Sequence, residues 1–132
     1  MEAGVVFIDT SVLIDYYRKK DKQKSLFFEL SATYSTFVVS VITEYEIFIG
    51  SQTSEQEKFW NEFFKRVIVL PFDSDVNKTA VKIYRELKAQ NKLIDVPDIF
   101  IAATAINCNV NFATLNLKHF ERIGNIKKLL LR

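Results

Sequence analysis

Val5-Val6-Phe7-Ile8-Asp9-Thr10-Ser11 runs four apolar residues straight into an acid and two hydroxyls. A short, unbroken apolar run of this kind suits a strand buried on both faces, as in a parallel sheet covered by helices. Asp9 then falls at the carboxyl end of that strand, and Thr10 or Ser11 is placed to cap a helix through Leu13, Ile14 and Tyr17. In an open parallel α/β sheet the carboxyl ends of all strands face one crevice, so residues distant in sequence become neighbours there. The question for the rest of the chain is whether other acids occupy equivalent positions.

They do. A helical stretch places Leu26, Phe27 and Leu30 on one face, residues 37–41 have strand character, and Thr43 opens a helix ending near Gly50 that carries Glu46. Residues 55–66 are helical in pattern, with Phe59/Phe63 and Trp60/Phe64 as i,i+4 pairs. A third strand spans 67–70 and stops at Pro71; after Asp73 or Ser74 as cap, Val76, Ala80, Ile83, Tyr84 and Leu87 define a long amphipathic helix. Residues 91–97 form a loop. The stretch 98–106, headed by Asp98, is too apolar for a surface helix, 110–113 is a strand, Asn116 begins a short turn or helix with Phe120, and 126–131 predicts a last strand. The alternation predicts a single α/β domain over 1–132, a mostly parallel sheet sandwiched by helices, with right-handed crossovers gathering the strand ends.

Asp9, Glu46, Asp98 and Asn116 thus stand at strand ends or helix starts. Each has an ordinary local role open to it. Asp9 can cap a helix; Glu46 completes a Thr-x-x-Glu capping box with Thr43; Asn116 can form an Asx turn. Glu44 competes with Glu46, since residues two apart on a helix face different ways and periodicity does not choose between them. Asp95 can cap the apolar helix and so release Asp98 for another task. Capping alone does not explain why acids and an amide recur at successive strand ends, and three anions in one pocket repel unless a divalent cation neutralises them. The pattern points to a metal-dependent enzyme.

Composition narrows the class. The chain has 132 residues, 48% of them hydrophobic, and no apolar run near the roughly 20 residues of a membrane span. With Met1 leading directly into a charged residue, the expectation is a soluble, unexported, cytoplasmic protein. Cys108 is the single cysteine and His119 the single histidine, which excludes an intrachain disulfide and any zinc site built on several thiolates or histidines. His119 is expected to serve a loop carbonyl or a substrate phosphate. A net charge of +2 does not advertise nucleic-acid binding, although Arg18, Lys19, Lys20, Lys22 and Lys24 cluster, as do Lys127, Lys128 and Arg132. A solvated turn is the first reading of the former cluster and phosphate contact the second.

At this point the motifs resemble the PIN domain, specifically the VapC-like toxins of bacterial and archaeal toxin–antitoxin systems. Ile8-Asp9-Thr10-Ser11-Val12-Leu13-Ile14 is similar to their opening motif, and Ser40-Val41-Ile42-Thr43 with Glu46-Ile47 and Gly50 to their second, an alignment that selects Glu46 over Glu44. Pro97-Asp98-Ile99-Phe100-Ile101-Ala102-Ala103 resembles the third, and Ala113-Thr114-Leu115-Asn116 with His119-Phe120 the fourth. The resemblance covers the whole chain in order. It implies an α/β/α sandwich, often a homodimer, acting as an Mg²⁺- or Mn²⁺-dependent endoribonuclease and silenced by a small VapB-like antitoxin.

Carried over by position, Asp9, Glu46, Asp98 and Asn116 are the catalytic set, the three acids are the metal ligands, and Thr10, Ser11 and Thr114 become candidates for supporting the acids or touching phosphate. Many members have Asp where this chain has Asn116, which leaves one ion or two open. Hydrolysis by metal-activated water would leave 5′-phosphate and 3′-hydroxyl ends. A phosphatase of the haloacid-dehalogenase type needs a second Asp where Ser11 stands, a receiver domain needs an acidic pair at the first strand, and no Gly-x-Ser-x-Gly elbow is present for a triad hydrolase. The remaining competitor is a catalytically silent PIN-like module that binds a protein or RNA. The paired phenylalanines, Phe27/Phe28 and Phe63/Phe64, cannot all face one core, so some are expected to meet a partner, and the helices around Glu46 are the expected antitoxin clasp.

Overall fold

A computed structural model describes residues 4–127 and 129–131. Four parallel strands make one sheet: β1 (Val5–Ile8), β2 (Thr36–Ser40), β3 (Ile68–Leu70) and β4 (Asn111–Ala113), in the order β3-β2-β1-β4. The chain builds outward from β1 to β3 and then crosses to the opposite side of β1 to lay down β4. The reversal leaves a crevice beyond the carboxyl ends of β1 and β4, the place where open parallel sheets bind ligands. Asp9 ends β1 there, its N–H donating to the carbonyl of Ala113 at 3.0 Å.

Side chains alternate across the sheet, as the pleat requires. Val6, Ile8, Val39 and Ala113 face a core filled by α1 (Thr10–Arg18), α2 (Leu26–Ser31), α3 (Val41–Ile49) and α4 (Ser54–Phe64). Phe7, Val38 and Phe112 face the other core, closed by α5 (Ser74–Ala89), α6 (Val96–Cys108), α7 (Leu117–Phe120) and α8 (Gly124–Lys127). Two cores resolve the paired aromatics. Trp60 and Phe64 of α4 are buried, Phe59 and Phe63 are half-buried against the same core, and Phe27 stacks between Phe37 and Phe63, whereas Phe28 remains 45% exposed.

Several boundaries differ from expectation. α3 begins at Val41 rather than Thr43, because the Ser40 hydroxyl takes the N-cap and accepts from the Ile42 N–H at 3.0 Å. α1 is entered through Asp9, with neither Thr10 nor Ser11 as its cap. Asp95 does occupy the N-cap position of α6, but through its carbonyl, which accepts from Asp98 and Ile99, and not through its carboxylate. The predicted strand 126–131 shrinks to a single parallel bridge between Phe112 and Leu130. Ile126 has turned into α8 and is fully buried in the core, leaving only the residues around Leu130 to reach the sheet edge.

The basic run after α1 is largely structural. Lys22 Nζ donates to the carbonyls of Tyr16, Tyr17 and Lys19 at 2.8, 2.9 and 3.1 Å, closing the C-terminus of α1, and lies over the Tyr16 ring at 5.1 Å. Lys19 pairs with Asp15 at 3.6 Å. Of the closing basic cluster, Lys128, Arg132 and the side chain of Lys127 lie outside the described residues. Among the described residues no helix is long and apolar enough to cross a membrane.

Candidate active site

Asp9 is only 2% exposed, held where a rigid strand meets a helix start. Its Oδ2 accepts two hydroxyl hydrogen bonds, from Ser11 at 2.7 Å and Thr114 at 2.8 Å. Each hydroxyl has a single hydrogen, so their mutual 3.4 Å contact carries none of it and both protons serve the acid. The same oxygens accept from the loop beyond β4: Ser11 Oγ from the Leu115 N–H and Thr114 Oγ1 from the Asn116 N–H. Burial pushes the Asp9 carboxyl above the usual range, and the hydroxyl bonds only partly counter it.

A second relay supports Glu46. Thr10 Oγ1 donates to Glu46 Oε1 at 2.8 Å, and because that uses its only hydrogen, the buried Thr43 hydroxyl is the donor in the 2.9 Å bond to Thr10. The capping box expected from Thr43 and Glu46 therefore does not form. Thr43 escapes a sequence reading as a site residue because its spacing to Glu46 matches a cap; only its contact with Thr10, distant in sequence, reveals the other role. Of the two glutamates in this turn it is Glu46, not Glu44, that the Thr10 hydroxyl reaches.

Asp98 sits in the first turn of α6, with its side chain 18% exposed. Its carboxyl is raised above the usual range, first by burial, then by the negative charge of Asp9, with Glu46 adding to the effect and His119 opposing it. The three acids, drawn from β1, α3 and α6, thus share one electrostatic crevice. Asn116 stands at the N-cap position of α7, exposed, and its side chain makes no capping hydrogen bond. It joins the constellation through the backbone bond to Thr114. Asp95 is exposed at the α6 start.

The donors at this site are hard oxygens, which suit Mg²⁺ or Mn²⁺ rather than a thiophilic metal. Among the described residues no three His, Cys, Asp or Glu side chains gather tightly enough to enclose an ion by themselves. Mg²⁺ does not require that, since it commonly takes one or two carboxylates and keeps several waters. The unneutralised charge that disturbs Asp98 is the feature a cation fits.

Two clefts border the crevice. One, about 290 Å³, lies between α1, α3 and α4 and is lined by Ile14, Tyr17, Glu46, Ile47 and Trp60 among others. The other, about 470 Å³, is lined by Ser11, Ile14, Asp15, Arg18, Lys19 and Leu115.

A parallel sheet with a switch-point crevice of acids and hydroxyls defines a class, and comparison with known proteins agrees. A sequence model of the PIN domain matches residues 6–126, and the chain belongs to that family. Ribonuclease VapC1 of Methanocaldococcus jannaschii is 37% identical over 122 residues, covering 92% of this chain and 83% of the relative. The fold superposes on VapBC2 from Rickettsia felis, bound to a DNA fragment from their promoter, with a TM-score of 0.82 at 24% identity, covering 96% of this chain and 97% of that one. VapBC-1 from nontypeable Haemophilus influenzae gives 0.79 at 26% identity, with 97% and 96% covered. Other relatives of this chain within the PIN family are also named VapC ribonucleases, among them one from Mycobacterium tuberculosis, 27% identical over 91% of this chain and 95% of the relative.

Proposed function

We propose that this chain is the endoribonuclease toxin of a VapBC-type toxin–antitoxin pair, hydrolysing RNA phosphodiesters with Mg²⁺ or Mn²⁺ held by Asp9, Asp98 and Glu46. The observation that carries the metal-dependent part is the part-buried Asp98 carboxyl, raised first by burial and then by the charges of Asp9 and Glu46 across the crevice. The RNA substrate is supported by the relatives named as ribonucleases.

A bound divalent ion would offset the acids' repulsion, polarise the scissile phosphate and make a water acidic enough to attack at neutral pH. The chain's own contribution is preorganisation. Ser11 and Thr114 hold Oδ2 of Asp9, and Thr10 and Thr43 fix one oxygen of Glu46. Asn116 brings an amide and no charge, so a second ion would depend on the substrate phosphate as a ligand. Attack by water in line with the leaving 3′-oxygen yields 5′-phosphate and 3′-hydroxyl ends.

For partners, we assign a VapB-like antitoxin to the cleft beside Glu46, where Ile49 and Tyr45 are also exposed at 66% and 63%. A basic antitoxin side chain reaching Glu46 would compete with the cation. We assign a homodimer contact to the apolar hollow of about 190 Å³ between α5 and α6, flanked by exposed Val81, Tyr84 and Val96. The cytoplasm is the proposed setting.

The test is cleavage of a defined RNA by pure protein with Mn²⁺, with Mg²⁺ and with chelator, beside Asp9→Asn and Asp98→Asn. Metal-dependent cleavage lost in both variants, with 5′-phosphate products, supports the reading. Cyclic 2′,3′-phosphate products, or equal cleavage by all three proteins, would count against it. Tight antitoxin or RNA binding with no cleavage by the native protein would favour the silent-module alternative, the reading to which the neutral Asn116 lends itself.

A further inference from the structure

His119 has a ring in two environments. The side chain is 45% exposed, yet its Nδ1 is buried, makes no hydrogen bond, and lies 3.5 Å from Oδ2 of Asp98. Buried polar atoms nearly always have a partner. This nitrogen faces a carboxylate at a distance that a small movement of either side chain would close into a hydrogen bond, and catalytic hydrogen bonds are often long before the site is loaded.

The backbone keeps the ring in place. The His119 N–H donates to the Asn116 carbonyl at 3.0 Å, and the adjacent Phe120 is fully buried against Phe112, ring centroids 4.9 Å apart. α7 is therefore anchored to the core at one residue and presents an imidazole edge to Asp98 at the next. The two nitrogens have separate surroundings. Neutral imidazole carries one hydrogen, and an Nδ1–H leaves Nε2 as an acceptor.

We propose that His119 is a positioning residue for Asp98, its Nδ1–H donating to Oδ2 so that Oδ1 is the oxygen turned toward the divalent ion. The inference rests on the metal-dependent function proposed for the crevice and adds to it a fourth motif residue that acts through Asp98. It parallels the arrangement at Asp9, where Ser11 and Thr114 occupy Oδ2. In both acids one oxygen would be committed to the protein and one to the cation. Partners that orient ligating carboxylates are worth about 10- to 100-fold in metal affinity.

The experiment is Mn²⁺ titration calorimetry on RNA-free protein, with native, Asp98→Asn, His119→Ala, His119→Asn and His119→Gln chains, each checked for native circular dichroism. An Asn amide nitrogen falls near the position of Nδ1, and a Gln amide nitrogen near that of Nε2. The proposal predicts Mn²⁺ affinity about 10- to 100-fold weaker in His119→Ala, recovered largely by Asn and not by Gln. Unchanged affinity in His119→Ala, with binding lost in Asp98→Asn, would overturn the role of His119 while leaving the metal reading intact. Recovery by Gln alone would overturn it too, assigning the function to the exposed nitrogen. Absence of Mn²⁺ binding by the native chain would remove the metal reading itself.

Discussion

Two charged groups stand out in this chain, and they behave in opposite ways. Arg18 to Lys24 is contiguous in sequence, yet folding disperses it: Lys22 becomes a cap for α1, Lys19 pairs with Asp15, and Lys20 and Lys24 face water. Asp9, Glu46 and Asp98 are scattered over most of the sequence, yet folding brings Asp9 and Glu46 close enough for their charges to add to the burial that raises the Asp98 carboxyl. A local run of charge is satisfied by water and nearby carbonyls at little cost. Acids converging at a sheet's carboxyl edge resist such satisfaction, and their persistence there is what calls for a ligand.

The contrast is most sharply broken at the acids. Asp9→Asn or Asp98→Asn is expected to reduce the rate of Mn²⁺-dependent RNA cleavage by on the order of 10²–10³-fold, the scale for loss of one preorganised electrostatic group, measured with a fluorogenic oligonucleotide under single-turnover conditions. Next comes Lys22→Met, which releases three helix-end carbonyls and a cation over an aromatic ring. It should cost about 1–2 kcal/mol in urea unfolding without changing cleavage per folded molecule. A fall in cleavage with no fall in stability would return Lys22 to the substrate side.

A smaller effect separates function from stability. Because the folded carboxyls of Asp9 and Asp98 are raised above the ordinary unfolded values, the folded state holds those protons more tightly. Their contribution to stability without metal is therefore greatest in acid and is lost as pH rises from about 4 through the raised folded values. Asp98→Asn removes the Asp98 share of that loss, so in chelator at neutral pH the variant should melt above the native chain while being nearly inactive. Calorimetric scans between pH 4 and 8 would show the gap widening with pH; a gap constant across that range would contradict ionisation of Asp98 as its cause. Smallest of all, Lys20→Gln and Lys24→Gln should alter stability by no more than about 0.5 kcal/mol and leave the salt dependence of RNA affinity unchanged. Arg18→Gln, beside the cleft that reaches Ser11, should weaken RNA binding and flatten its salt slope by about one unit.

Much of this was legible in the residues. Continuous apolar runs placed β1 and α6, and the acid after Ile8 located the crevice, because strand ends in a parallel sheet are interchangeable in space. Local chemistry misled where a tertiary contact won. Thr43 looked like a cap but Ser40 took that position, and the Thr43 hydroxyl went to Thr10 on another helix. Ile126 looked like strand, yet a helical turn buried it more fully than a sheet edge could. The side of a sheet on which each phenylalanine lands is likewise invisible without the crossovers, which is why two cores, and not a partner, accommodate most of them.

A cation shared by the acids is the central claim, and anomalous diffraction from a crystal soaked in Mn²⁺ reads it directly. The prediction is a peak in the crevice with an oxygen of Asp9 and of Asp98 as ligands at about 2.0–2.2 Å, Glu46 bound directly or through water. A peak elsewhere on the surface, with Asp9 and Asp98 bonded only to protein groups, would contradict it.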